Sequence, residues 1–233
     1  MSNDNPVENA AEIPEIITPL RQKIIKIPEL MKKVGGINLL GQHIKTLIFT
    51  TDVVTIRNNN ADAIMAVYPF TPQPVLTQAI SSVADKPVLM GVGGGTTHGR
   101  RVVNLALHAE FQGALAVVLN APVENSVLRA VDRTIDIPIV ITVLNADVES
   151  RLENGADILN VSAGANTPQV VEEIRRKFPT IPIIATGGPT EATIAATLSK
   201  GPNALTFTPP STAELFRSLM DAYRQQINVQ PHN

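Results

Sequence analysis

Four residues with groups suited to chemistry follow apolar, strand-like runs: Asp52, His98, Arg100 and Asn120. A carboxylate such as Asp52 can act as a general base or accept a substrate hydroxyl, and an imidazole such as that of His98 can act as a general acid or base. Arg100 can clamp a phosphate or a carboxylate, and Asn120 can donate to a substrate oxyanion. Each also has an ordinary alternative: Asp52 as a helix N-cap, the others as solvated or loop-stabilising groups.

A glycine pair, Gly187-Gly188, follows the seventh run and precedes a helix, and Thr208 and Ser211 follow the eighth. Glycines let backbone N–H groups approach an anion closely, and a helix N-terminus adds partial positive charge. We therefore predict a phosphate site at these four residues. The alternative is that the glycines only make a tight turn.

Further substrate contacts are predicted at Gly94, Gly95, Asn145 and Ser162, which also follow strand-like runs. Together with Asn120 and Asn160, Asn145 could form a polar ring around a substrate, or these amides could satisfy loop backbone groups.

Several kinds of chemistry are disfavoured. The sequence has no cysteine, and its lysines do not follow strand-like runs, so thiolate chemistry and a Schiff base have no obvious nucleophile. No carboxylates or histidines occur with metal-ligand spacing, so we expect no metal site.

Apolar, β-branched runs alternate with helix-period stretches, which is typical of βα units in a parallel sheet. The eight runs are His43 to Thr50, Ala61 to Val67, Lys86 to Val92, Ala114 to Leu119, Ile137 to Val143, Asp157 to Val161, Ile181 to Thr186 and Asn203 to Phe207. The clearest helices are Val102 to Phe111, Thr167 to Phe178, Glu191 to Leu198 and Ala213 to Ile227, whereas the crossover Asp52 to Asn60 has room for one or two turns.

Eight such units predict a single (β/α)8 TIM barrel, an α/β fold whose catalytic groups lie after the strands. A flavodoxin-like or Rossmann sheet is the alternative, but no GxGxxG follows the first run.

The barrel domain is predicted to span residues 18–233, after a polar, acidic arm of residues 1–17. An extra N-terminal helix is expected from Thr18 to Lys26, restarting at Pro28 and ending at Gly35-Gly36.

Composition narrows the partners. The 233 residues carry a formal net charge of -2 and only 3% aromatic residues, which makes nucleic acid an unlikely partner. No stretch approaches transmembrane length. We expect a cytoplasmic homo-oligomer that binds a small phosphorylated metabolite.

The stretch from Gly155 to Ser211 resembles the phosphate-binding (β/α)8 barrels, above all the flavin-mononucleotide barrels of the nitronate monooxygenase type. The similarity lies in Ile183-Ile184-Ala185-Thr186-Gly187-Gly188 and in the run Gly201 to Phe207. It implies FMN as a possible cofactor, with its phosphate on Gly187 and Gly188.

The expected function is therefore that of a barrel enzyme acting on a phosphorylated small molecule, with proton transfer of the isomerase or lyase type. An FMN-dependent oxidoreductase is the second enzymatic possibility. The third is a non-catalytic sensor of a phosphate ligand, like the barrel of the glycerol-uptake antiterminator type.

Overall fold

The structure, a computed structural model, describes residues 14, 16, 18 and 24–229 and contains a closed barrel of eight parallel strands. Those strands are β3 (Thr46–Phe49), β4 (Ala63–Ala66), β5 (Val88–Gly93), β6 (Ala116–Leu119), β7 (Ile139–Val143), β8 (Ile158–Val161), β9 (Ile183–Thr186) and β10 (Ala204–Phe207). Seven of the predicted runs contain one of these strands in full, and the run Lys86 to Val92 contains all of β5 except Gly93. Because β10 pairs with both β9 and β3, the sheet closes, which confirms the barrel and excludes the open sheet.

The helices alternate with these strands around the barrel. They are α1 (Val53–Arg57), α2 (Pro74–Val83), α3 (Arg100–Phe111), α4 (Asn125–Asp132), α5 (Glu149–Leu152), α6 (Thr167–Lys177), α7 (Glu191–Leu198) and α8 (Thr212–Val229). The four helices predicted most clearly correspond to α3, α6, α7 and α8. The first crossover holds only the short α1, as its length and polarity indicated.

The predicted N-terminal helix is wrong over Ile24 to Lys26, where the chain is not helical; residues 19–23 lie outside the described residues, as does most of the predicted arm. The backbone N–H of Ile25 donates to the carbonyl of Asn58 at 2.8 Å, and its carbonyl accepts from the N–H of Asn60 at 3.2 Å. These bonds hold this segment extended against the loop after α1. Beyond Pro28 the restart is a short 3-10 helix, Glu29–Lys33.

A β-hairpin closes the N-terminal end of the barrel. Its strands, β1 (Ile37–Leu39) and β2 (Gln42–Ile44), pair antiparallel. Their apolar side chains pack against the innermost layer of the barrel, where three of the four residues are alanines and leave space. This end of the barrel is therefore filled with apolar groups.

The strand registers stack the interior side chains in layers of four, contributed by alternate strands. From the N-terminal end the layers are Ala63, Ala116, Ile158, Ala204; Leu47, Leu89, Val140, Ile184; Met65, Val118, Asn160, Thr206; Phe49, Gly91, Thr142, Thr186; and, continuing past the strand ends, Val67, Asn120, Ser162, Thr208. The first two layers are wholly apolar. From the third layer upward the interior is half polar, although it contains no charged side chain.

Candidate functional site

The third interior layer, which we call the floor (Met65, Val118, Asn160, Thr206), holds two polar atoms without a partner. Asn160 is 7% exposed and Thr206 is 5% exposed, and the Asn160 Oδ1 and Thr206 Oγ1 atoms make no hydrogen bond with any described residue. Buried polar atoms are nearly always hydrogen-bonded, so such a pair calls for a physical explanation. The pair lies inside the strands, below the C-terminal face at which this fold places its active sites.

A hydrogen-bond chain leads from the floor to the mouth, the C-terminal opening of the barrel. The side-chain amide of Asn160 donates to Thr142 Oγ1 at 3.1 Å, and the Thr142 hydroxyl donates to Asn120 Oδ1 at 3.2 Å. These three residues are register partners on β8, β7 and the end of β6, so their side chains point to the same side of the sheet. The chain thus joins Asn120 and Asn160, two members of the predicted polar ring.

The third predicted member, Asn145, does not join them. Its side chain is exposed and accepts a hydrogen bond from the backbone N–H of Asp147 at 3.1 Å, which shapes its own turn. Ser162 does face the mouth, where its hydroxyl accepts from Thr186 Oγ1 at 3.4 Å.

The glycine pair of the predicted phosphate site lies between β9 and α7. The N–H of Gly187 donates to the carbonyl of Thr206 at 3.2 Å, so it belongs to the strand ladder. Gly188 has φ +84°, and a Cβ there would lie 2.5 Å from Thr193 Oγ1. Position 188 therefore requires glycine on both conformational and packing grounds.

A capping box begins α7, because the Thr190 hydroxyl accepts from the Thr193 N–H at 3.2 Å while Thr193 Oγ1 accepts from the Thr190 N–H at 3.1 Å. Two backbone donors near the turn are thereby satisfied within the chain. An anion at this turn would have to use the N–H groups of Gly188 and of the first residues of α7.

A second capping box begins α8 at Ser211. Both the N–H and the hydroxyl of Ser211 donate to Glu214 Oε2, at 2.8 Å and 2.7 Å. These bonds lower the pKa of Glu214, so the group that faces this helix N-terminus is already a carboxylate.

Asp52 lies with Thr208 and Ser211 around a cavity of about 340 Å³ at the ends of β3, β4 and β10. Its Oδ2 accepts from the Thr212 hydroxyl at 2.6 Å, and its Oδ1 accepts from the Thr55 N–H at 2.8 Å. The bond from Thr212 is the main cause that lowers the pKa of Asp52, with Thr55 adding to it against the opposing effect of burial. Asp52 is thus the N-cap of α1 and, at neutral pH, an ionised hydrogen-bond acceptor.

The loop between β5 and α3 is tied to its neighbours. The N–H of Gly94 donates to the carbonyl of Thr97 at 3.0 Å, and the N–H of Gly95 donates to the carbonyl of Pro122 at 2.9 Å. This fixed turn presents His98 as an exposed side chain just before α3, and Arg100, also exposed, begins that helix. Both predicted groups therefore lie at the mouth side of the barrel but outside its interior.

Among the described residues, no three His, Asp or Glu side chains come together in a way that could hold a metal ion. Lys86, a half-buried lysine, lies at the N-terminal end of the barrel, where Nζ donates to the carbonyls of Asn59 and Ala61 at 2.6 Å and 2.8 Å. Burial lowers the pKa of Lys86, but its bonds show a structural role. In the described part of the chain, no helix has the length and apolar character needed to span a membrane.

The comparisons with known proteins identify the fold. No protein-family model matches the sequence, and no curated protein matches it either. A solved protein from Burkholderia cenocepacia J2315, described as a phosphonomutase, shares 15% identity with a TM-score of 0.63, covering 84% of this chain and 96% of its own. A 2,3-dimethylmalate lyase of the PEP mutase/isocitrate lyase superfamily shares 12% identity with a TM-score of 0.61, covering 80% of this chain and 83% of its own.

A phosphonopyruvate hydrolase is also similar, with 14% identity, a TM-score of 0.58, and coverage of 81% of this chain and 82% of its own. These likenesses support the (β/α)8 barrel and give no support to the nitronate monooxygenase type. At such low identity they establish the fold alone.

Thr142, Thr186 and Thr206 complete the polar half of the interior and were not among the residues predicted from the sequence. The available signal was the placement of threonines at alternate positions near the ends of three strands, on the same face as interior apolar residues.

Proposed function

We propose that this chain is a barrel enzyme that binds a small phosphorylated metabolite at the mouth and acts on it by proton transfer of the isomerase or lyase type. The observation that carries the proposal is the pair of buried, unpartnered atoms on the floor, Asn160 Oδ1 and Thr206 Oγ1. In a barrel whose lower layers are wholly apolar, polar groups at this depth cost stability, which is typical of binding sites.

The phosphate is proposed to lie at the turn that begins α7 rather than at the N-terminus of α8. The first turn of α8 already faces the carboxylate of Glu214. At α7 the left-handed Gly188 and the first helical N–H groups supply donors, while Arg100 follows β5 on the opposite side of the barrel and is left for another part of the ligand. Thr208 continues the strand beside this turn, so its hydroxyl is the proposed side-chain contact.

Among the titratable groups at the mouth, His98 is the one we assign to proton transfer. The lowered pKa of Asp52 makes it a weak base, so we propose that it instead orients a substrate hydroxyl or cation. The amide N–H groups of Asn120 would stabilise a developing oxyanion, because its Oδ1 is already used by Thr142.

Two of the similar structures bear names that agree with this class of reaction, a mutase and a lyase, and the third is a hydrolase. Because the similarity establishes only the fold, the substrate of this chain has to be argued from its own residues.

A non-catalytic sensor is the second candidate. It is favoured by the absence of any charged side chain from the interior layers, all of which lie in the described part of the chain. A sensor would bind the same ligand without converting it, so His98→Ala would leave the affinity for the ligand intact and the wild type would show no turnover.

Thermal-shift measurements with inorganic phosphate and a panel of sugar phosphates test the phosphate site. A ligand at about 100 times its Kd adds roughly 2.7 kcal/mol of stability. Gly188→Asp should abolish the shift, whereas Gly201→Asp, at a glycine with a similar φ (+79° against +84°) before β10, should retain it. If no phosphate compound shifts the melting temperature of the wild type, the phosphate part of the proposal is wrong.

We also propose that the protein self-associates through α8. Its apolar side chains Leu215, Phe216, Leu219, Met220 and Tyr223 are 37–64% exposed, a stripe at helical spacing. The segment before β1, and not α8, covers the barrel beside α7. In that segment Ile27 and Met31 are almost fully buried. A contiguous apolar stripe of this kind is typical of a protein interface.

A further inference from the structure

The hydrogen-bond chain in the interior has a direction. Thr142 has one hydroxyl proton, which it donates to Asn120 Oδ1 while accepting from the Asn160 amide. The chain therefore ends in a free acceptor, Asn160 Oδ1, at the floor, and in amide N–H donors of Asn120 at the mouth. A ligand that completes the chain has to donate a hydrogen bond at its deep end and can accept one near the opening.

The charge of the interior constrains the ligand further. The three upper layers contain only apolar residues, threonine, serine and asparagine, so an ionised group at the floor would have no counter-charge. Burying an unpaired charge is strongly unfavourable, and a carboxylate would also set its oxygens against Asn160 Oδ1 without a proton between them. A hydroxyl or an N–H group meets neither obstacle.

The layer above the floor is not densely filled by side chains, so a ligand group could reach the floor from the mouth. Gly91 contributes no side chain to that layer. Thr142 and Thr186 of the same layer are only partly buried, and Phe49 is 37% exposed, so its ring is not held by dense packing. Movement of Phe49 would open the floor to a group entering from the mouth.

We propose that the interior selects a ligand whose deep end is uncharged and carries a hydroxyl or N–H donor, which binds Asn160 Oδ1 and Thr206 Oγ1. The ligand class is thus a polyol or an amide, and any anionic group stays at the mouth. This inference rests on the proposed function in taking the mouth as the ligand entrance. It separates this chain from a barrel that holds a carboxylate at the same depth.

Two matched probe pairs test the inference on the full chain. Glycerol 3-phosphate and 3-phosphoglycerate differ in a terminal hydroxymethyl against a carboxylate, and glycerol and glycerate form the same pair without phosphate. Affinity is measured by titration, followed through the side-chain amide NMR signals of Asn120 and Asn160. We expect the hydroxymethyl member of each pair to bind at least about tenfold more tightly, as for one hydrogen bond gained without a buried charge.

The variants Asn160→Leu and Thr206→Val should reduce that preference to within about twofold, since one hydrogen bond is worth roughly tenfold in affinity. Thr206→Val keeps the volume of the side chain and serves if Asn160→Leu fails to fold. Equal binding of the two members of a pair, preference for the carboxylate, or a preference unchanged in both variants would overturn the inference.

The probes also separate this inference from the phosphate site. If the esters bind no better than the phosphate-free compounds, the proposed phosphate site is wrong, and the comparison of glycerol with glycerate alone tests the inference. If the two esters bind better than the phosphate-free compounds but equally well as each other, the phosphate site is supported and the inference is wrong. If no member of either pair binds, both are wrong.

Discussion

Replacing Thr206 by Val should stabilise the ligand-free protein, although the residue lies deep in the barrel. Thr206 is 5% exposed and its hydroxyl has no hydrogen-bond partner among the described residues. Valine has nearly the same shape and carries a methyl group in place of the hydroxyl. A buried polar group without a partner costs about 1–3 kcal/mol, so the substitution should recover roughly that amount.

Thr46→Val is the matched control. Thr46 is 1% exposed and lies on β3, next to β10, but its hydroxyl donates to Asp62 Oδ2 at 3.0 Å. Removing a hydrogen bond to a carboxylate should cost about 1.5–3 kcal/mol. Two substitutions of the same type on neighbouring strands are therefore expected to have opposite signs.

Thermal and urea unfolding of both variants would measure the difference. For a chain of this length, 1 kcal/mol corresponds to about 2–4 °C in melting temperature, so Thr206→Val should melt about 2–12 °C above the wild type. If Thr206→Val is instead destabilised as much as Thr46→Val, the Thr206 hydroxyl has a partner such as an ordered water, and the floor is not an open site.

Three further predictions concern the loops, the mouth and α8. In denaturant unfolding, Gly94→Ala should lower the free energy of unfolding by about 2–5 kcal/mol, because φ is +90° and a Cβ would lie 1.9 Å from a backbone carbonyl oxygen. Gly95→Ala should lower it by about 1–2 kcal/mol, because φ is +64° but no atom lies within 4 Å of the added Cβ. Equal losses would mean that the loop is not packed as described. Folding lowers the pKa of Asp52 below its ordinary 3.8, so its contribution to stability is present above that pH and is lost as the pH falls through the folded-state pKa. Asp52→Asn should therefore be less stable than the wild type near neutral pH and equally stable in acid. Thr212→Val should show a smaller, equally pH-dependent loss of stability. A loss that does not depend on pH would refute this role for the carboxylate. Leu219→Asp should convert an oligomer to a monomer in light scattering without loss of secondary structure, and a monomeric wild type would exclude self-association through α8.

The barrel itself could be predicted from the sequence because its signals are local and repeated. Each apolar run coincides with a strand to within one residue at the strand's C-terminal end, and α7 begins and ends at the predicted residues, Glu191 and Leu198. The N-terminal segment failed because Thr18-Pro19 and Pro28 indicate helix starts, whereas the decisive contact is the non-local pairing of Ile25 with the loop after α1. Local propensity is commonly overridden by such tertiary contacts.

The candidate site could be predicted only in part. The rule that barrel strands end at the active site pointed to Asp52, Asn120 and Gly188, but it treats every residue after a strand alike. It could not distinguish Asn145, which shapes its own turn, from Asn120, which faces the interior. Asn160 of the floor was among the predicted ring residues, but Thr206 was missed because it lies within its strand and its inward direction follows only from the register of the closed barrel.

A crystal structure of the protein soaked with glycerol 3-phosphate would test most directly whether the polar half of the interior is the ligand site. We expect density for the ligand in the mouth, with a hydroxyl within hydrogen-bond distance of Asn160 Oδ1 or Thr206 Oγ1. A ligand bound elsewhere, with both of these atoms paired to groups of the protein, would contradict the account.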